Sequence, residues 1–215
     1  MYSTDKKDKI LITGSSSGLG WYLSEYFSNQ GHDLIISGRD TKKLNELKDR
    51  LPTSISIVTG DLRDLNHLKE IKDVFVKEKA KVLINNAGVT CSGLPINELE
   101  TDKILETIDV NLIAPFLLIK YLYSHLNSVI NINSMVGLEH KKFRTAYSAS
   151  KWGLRGFSES FKLESSINVV DVYPTSIKTT PDRENAMEVD FVCEKIYKTY
   201  SKRITKKLIL DGRPK

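Results

Sequence analysis

A doubly wound α/β fold is what this sequence predicts: one domain over residues 1–215, with a seven-stranded, mostly parallel sheet in the order 3-2-1-4-5-6-7 and helices on both faces. Two observations carry that expectation. Short β-branched or leucine-rich runs alternate with segments whose apolar residues recur at helical spacing, and a glycine-rich turn follows the first run directly. Strict alternation requires parallel strands joined by right-handed crossovers, because a tight turn cannot reach a parallel neighbour.

The strand runs are KILIT (9–13), DLIIS (33–37), SISIVT (54–59), KVLIN (81–85), SVININ (128–133), NVVDVY (168–173) and KLIL (207–210). Between them, Leu44, Leu47 and Leu51, and then Leu65, Leu68, Ile71 and Phe75, mark helical faces. Asp40 and Asp64 stand where helix N-caps belong, and Gly31 stands where the first helix needs a left-handed residue to stop. Residues 101–126 read as one long helix that Pro115 should bend, since proline offers no amide donor.

Composition excludes several classes. Hydrophobic residues at 40% and charged residues at 27% are those of an ordinary globular chain. No apolar stretch reaches the roughly 18 residues of a membrane span, and no secretory leader pattern opens the chain, so a cytoplasmic protein is expected. The two cysteines, Cys91 and Cys193, lie far apart without metal-ligand spacing, so no metal site is expected. The net charge of +5 comes from lysines scattered over helices without interleaved aromatics, which reads as a solvated surface and not as a nucleic-acid face.

The turn after the first strand reads Thr13-Gly14-Ser15-Ser16-Ser17-Gly18-Leu19-Gly20. A pyrophosphate needs close backbone approach, free amide donors and the positive end of a helix, and a strand-turn-helix with three glycines supplies all three. No Lys-Ser/Thr follows, which disfavours nucleoside triphosphate chemistry. The second strand ends in Ser37-Gly38-Arg39. Gly38 takes the place where dinucleotide-binding Rossmann folds put an acid on the ribose 2′-hydroxyl, and Arg39 can grip a 2′-phosphate. NADP(H) is therefore the expected cofactor, in preference to NAD(H). Ser15 is expected to add a second bond to that phosphate, and Asp40 to neutralise Arg39 in part.

Tyr147 and Lys151 are four residues apart, one helical turn. A phenol titrates near 10, so acid/base work near neutrality needs a cation beside it, which Lys151 can provide. Ser134 ends the fifth strand on the side where open α/β sheets bind ligands, and its hydroxyl can hold a carbonyl oxygen beside Tyr147.

Together these residues resemble the short-chain dehydrogenase/reductase family over nearly the whole chain. TGSSSGLG resembles its cofactor motif and Asn85 to Gly88 its NNAG motif, while Asn111, Ser134, Tyr147 and Lys151 match its catalytic tetrad in order and spacing. The resemblance implies an oxidoreductase that moves a hydride between nicotinamide and a carbonyl or alcohol carbon of a small substrate. Tyr147 is then the acid/base, Ser134 the carbonyl ligand, Lys151 also a ribose ligand, and Asn111 part of a water-linked proton relay. It further implies cofactor contacts from Asp61, Leu62, Asn86, Ala87, Gly88, Pro174, Ile177 and Thr179, and a homodimer or homotetramer. Phe116, Leu117, Tyr121 and Leu122 suit an oligomer interface or packing on the sheet equally well.

Two departures stand out. Thr175 follows Pro174 where the family usually has glycine, and only about a dozen residues lie between Thr179 and the next helical pattern, which predicts an open site. His140, Lys141, Lys142 and Arg144 form either a solvated loop or a rim favouring an anionic substrate. A catalytically idle NADPH-binding sensor or partner-binding module is the alternative, although it has no use for the proton-transfer pair. A sugar epimerase needs a C-terminal substrate domain that is not expected after Gly212.

Overall fold

The structure, a computed structural model, describes residues 7–91, 93–180, 182 and 185–213. Seven strands form one sheet in which every pair is parallel: β1 (Ile10–Thr13), β2 (Leu34–Gly38), β3 (Ile55–Thr59), β4 (Val82–Asn85), β5 (Ser128–Ile132), β6 (Asn168–Pro174) and β9 (Leu208–Leu210). Their order is β3-β2-β1-β4-β5-β6-β9. That is the predicted order, the seventh predicted strand being β9. A second, two-stranded sheet of β7 (Ile177–Lys178) and β8 (Met187–Glu188) was not legible in the sequence. Strands of two residues carry no periodicity to detect.

The helices are α1 (Gly18–Asn29), α2 (Thr41–Arg50), α3 (Leu65–Lys77), α4 (Thr101–Ile108), α5 (Ala114–Leu122), α6 (Thr145–Glu164) and α7 (Val189–Ser201). One core layer joins Leu23 and Phe27 of α1, Leu44 and Leu47 of α2, and Val192 and Ile196 of α7 to alternate strand residues such as Ile10 and Ile12. The other joins Leu68, Ile71 and Phe75 of α3, Leu118 and Leu122 of α5, and Phe161 of α6 to Leu11 and Leu83. Burial on both faces explains why these strands read as continuous apolar runs. Leu122 is fully buried in the second layer, so it packs on the sheet, while Phe116 is 45% exposed.

Local signals agree with this frame. Asp40 accepts from the Lys43 amide at 3.1 Å and Asp64 from the Asn66 amide at 2.8 Å, capping α2 and α3. Gly31 has φ +87 just after α1. Around Pro115 the helix switches to π-type geometry over Asp109–Ile113, with the Ala114 amide donating to the Asp109 carbonyl five residues back. Pro115 has no N–H for the Asn111 carbonyl that an α-helix would place opposite it, and the widened turn is the local adjustment.

A polar ladder crosses the sheet behind α6. Asn85, Asn131 and Asp171 sit in register on β4, β5 and β6. Asn85 Nδ2 donates to Asn131 Oδ1 at 2.9 Å, and Asn131 Nδ2 donates to Ser158 Oγ at 2.9 Å and to Asp171 Oδ1 at 3.2 Å. Lys162 Nζ closes it on Asp171 Oδ2 at 2.8 Å. The ladder fixes α6 on the sheet, and α6 carries Tyr147 and Lys151.

Candidate active site

Strand order reverses between β1 and β4, the place where open α/β sheets leave a crevice at their carboxyl ends. A cleft of about 420 Å³ lies there. Of the residues singled out from the sequence, it is lined by Gly14, Ser16, Ser17, Gly18, Leu19, Arg39, Asp61, Leu62, Asn86, Ala87, Gly88, Ser134, Tyr147, Lys151, Pro174, Ile177 and Thr179. Ser15, Gly20 and Asn111 are not on its wall.

The glycine-rich turn is built by close approach. Gly14 has φ +70, and a methyl group there would meet the Ala87 Cα at 2.8 Å. A methyl group on Gly20 would stand 2.2 Å from the Gly14 carbonyl oxygen, so Gly20 packs α1 onto the strand end instead of facing a ligand. Asn86 locks the arrangement: its Nδ2 donates to the Thr13 carbonyl at 2.8 Å, and the Asn86 and Ala87 amides both donate to Thr13 Oγ1 at 3.1 Å. Ser17 N-caps α1 without a side-chain bond to its amides, so the first-turn amides remain available to an anion.

Ser15 corrects an expectation. It is fully buried, and its hydroxyl donates to the Ile12 carbonyl at 3.0 Å while accepting from Ser24 Oγ at 3.3 Å. It has no hydroxyl to offer a phosphate. Ser16 stands nearer, since a methyl group on Gly38 would lie 3.0 Å from Ser16 Oγ. Arg39 is also paired differently from expectation. Asp40 is spent on the α2 cap, and the Arg39 guanidinium is 3.4 Å from Glu106 on α4. The Arg39 side chain is 63% exposed, which leaves it free to turn. Below it, Arg63 grips Asp61 at 2.6 Å and holds that carboxyl down to about 2.

At the other end of the cleft Tyr147 and Ser134 both stand on the wall, and the Ser134 hydroxyl bears on the Tyr147 phenol. Lys151 is 3% exposed, with Nζ 5.8 Å from the Tyr147 ring centroid and donating to the Ile132 carbonyl at 2.9 Å. Burial raises the Tyr147 phenol above its usual range, opposed in part by the Ser134 hydroxyl and the Arg144 charge. Burial also pushes the Lys151 amine down to about 8. In the protein alone the phenol therefore keeps its proton at neutral pH.

A stability consequence follows for Lys151. The folded amine releases its proton near pH 8 and the unfolded one near 10.5, so between those values the unfolded chain binds more protons and stability rises with pH. Relative to Lys151→Met, the unfolding free energy of the natural protein should rise by roughly 3 kcal/mol from about pH 7.5 to about pH 10.5. Urea melts of both proteins at both pH values measure this, and equal slopes would show that the amine is not desolvated.

Asn111 is 1% exposed and acts as a brace. Its side chain exchanges two 2.8 Å bonds with the Val89 backbone and donates to Ser150 Oγ at 3.1 Å, which in turn donates to the Tyr147 carbonyl at 2.8 Å. Asn133, which the sequence reading passed over, does similar work: its Nδ2 donates to the Lys151 carbonyl at 3.1 Å and its Oδ1 accepts the Ser134 amide at 2.9 Å. Its place next to Ser134 at a strand end was the signal available.

Comparison with known proteins decides the family. The model of the short chain dehydrogenases matches residues 8–189. The chain belongs to the short-chain dehydrogenase family. A 3-oxoacyl-[acyl-carrier-protein] reductase of Rickettsia conorii is 31% identical over 195 residues, 86% of this chain and 80% of that one. Among solved structures, the bulky-bulky ketone specific alcohol dehydrogenase of Comamonas testosteroni superposes with a TM-score of 0.85 at 26% identity, covering 95% of this chain and 86% of that one. A short-chain dehydrogenase of Sphingobium yanoikuyae in complex with NADPH superposes with a TM-score of 0.82, also at 26% identity, covering 95% and 87%. The protein is thus an oxidoreductase of this family, and its cleft fits a nicotinamide dinucleotide: a glycine-lined turn at a helix start at one end, Tyr147 and Lys151 at the other.

Proposed function

We propose that the protein is an NADP(H)-dependent oxidoreductase that interconverts a carbonyl and an alcohol on a small substrate, with Tyr147 as general acid/base. The observation that carries this is the meeting of Ser134, Tyr147 and Lys151 at one end of a cleft whose other end holds the glycine-rich turn and Arg39. A protein that only bound the dinucleotide would have no use for that proton-transfer set.

When bound, the nicotinamide supplies or accepts the hydride. Gly14, Ser16, Ser17, Gly18 and Leu19 would cradle the pyrophosphate, Asp61 and Leu62 would frame the adenine, and Arg39 would hold the 2′-phosphate. Asn86, Ala87, Gly88, Pro174, Ile177 and Thr179 would line the nicotinamide side. Ser134 holds the carbonyl oxygen, and Tyr147, kept protonated by its burial, gives its proton to that oxygen as negative charge develops there. Lys151 spends one donor on Ile132 and turns the rest toward a ribose hydroxyl. The Asn111 carbonyl, denied its α-helical donor by Pro115, can take a water that returns a proton to Lys151 and Tyr147.

Arg39 sets the cofactor preference. Arg39→Ser should weaken NADPH binding by about tenfold, the lower end expected for a charge-assisted bond at an exposed site, and leave NADH binding nearly unchanged. Fluorescence titration of both dinucleotides reads this, and an unaltered NADPH-to-NADH ratio would remove Arg39 from the site.

The reading extends to assembly and location. We take the chain as one dinucleotide-binding and catalytic domain, cytoplasmic, and a homodimer or homotetramer through α5 and α6, where exposed Phe116 packs its ring 4.4 Å from that of Phe157. Among the described residues no helix is long and apolar enough to cross a membrane.

A further inference from the structure

The basic run before α6 divides once its contacts are known. His140 stacks on Trp152 with ring centroids 5.3 Å apart. Lys142 lies 4.6 Å from the Phe143 ring centroid, and Lys141 sits in the field of Glu139, which is bonded to Arg213. Arg144 is different. It is half-buried and N-caps α6 three residues before Tyr147. Its guanidinium donates to Thr90 Oγ1 at 3.4 Å, and Thr90 lines the cleft beside Val89. The Tyr147 phenol feels its charge. None of the ion pairs among the described residues includes Arg144.

We propose that Arg144 is a specificity residue that binds the carboxylate of an oxo-acid substrate whose carbonyl oxygen rests between Ser134 and Tyr147. The proposal rests on the oxidoreductase reading above. A guanidinium presents a planar fork that matches a carboxylate with two parallel bonds. One cation balances one carboxylate, whereas a phosphate dianion would call for a second. The bond to Thr90 is long and neutral, so exchanging it for a charged, bidentate one is favourable. A carboxylate there also cancels the Arg144 field at Tyr147, which leaves the phenol holding its proton for reduction.

The test uses the full-length protein with saturating NADPH and three oxo acids, 2-oxobutanoate, 3-oxobutanoate and 4-oxopentanoate, each beside its methyl ester. At least one acid should exceed its ester in kcat/KM by about tenfold. Arg144→Gln should cut that acid's kcat/KM by about thirtyfold and leave the esters within about threefold, with Arg144→Lys recovering part of the loss. The Arg144 side chain is not the group that caps α6, so these variants should fold.

An acid preference that survives Arg144→Gln overturns the proposal. So does turnover of esters or neutral ketones without any acid preference, and that result leaves the oxidoreductase reading intact. If no compound is turned over, the reading itself fails, and calorimetric titration of the NADP+ complex with butanoate then decides Arg144. Binding weakened about tenfold or more by Arg144→Gln supports the site; absent or unchanged binding overturns it.

Discussion

Tyr147→Phe should lower kcat by about a thousandfold, within the range that positioned general acids contribute, while NADPH binding stays close to that of the natural protein. The reason is local. The phenol is the group that burial keeps protonated at neutral pH, and it stands with Ser134 on the wall of the cleft. Phenylalanine keeps the ring, 5.8 Å from Lys151 Nζ, and removes only the oxygen. Steady-state NADPH oxidation gives kcat, and fluorescence titration gives the binding constant. A variant that turns over within about tenfold of the natural protein would assign the proton to another donor.

The second large effect concerns stability. Asp171 is fully buried on β6, with Lys162 Nζ at 2.8 Å and Asn131 Nδ2 at 3.2 Å as its side-chain partners. Lys162→Met leaves a buried carboxylate without its counter-ion, which costs about 3–5 kcal/mol. In a chain of this size that corresponds to a fall in Tm of about 6–20 °C. Glu159→Gln removes the other partner of Lys162, a 57% exposed carboxylate 3.2 Å away, and should change stability by less than about 1 kcal/mol. Thermal melts of both variants distinguish a ladder that holds α6 from a surface pair. Equal, small shifts would mean that Asp171 is adequately solvated without Lys162.

Most of the fold was legible because its signals are local. Seven parallel strands leave seven apolar runs, Asp40 and Asp64 cap the helices they precede, and Gly31 stops the first one. What escaped the sequence depends on partners distant along the chain. Asn131 and Asp171 are polar residues inside apolar strand runs, and only the register of β4, β5 and β6 lines them up with Asn85. Pro115 announced a disturbance, while its form, a π-type turn over Asp109–Ile113, is a matter of packing.

The candidate site divides the same way. Most of the residues chosen from motifs converge on one cleft. The inward turn of Ser15, by contrast, follows from its bond to the Ile12 carbonyl, and the partner of Arg39 from the placement of α4 across the cleft. Side-chain direction at a tight turn and ion pairing between elements are tertiary facts. Neither leaves a periodicity in the sequence.

The most direct test is NADPH oxidation by the purified protein against a panel of aldehydes, ketones and oxo acids, with NADPH binding measured on the same preparation. Tight NADPH binding together with substrate-dependent oxidation that Tyr147→Phe abolishes is the predicted result. Tight NADPH binding with no oxidation by any carbonyl compound would contradict it, and would make the cleft a binding site without the reaction.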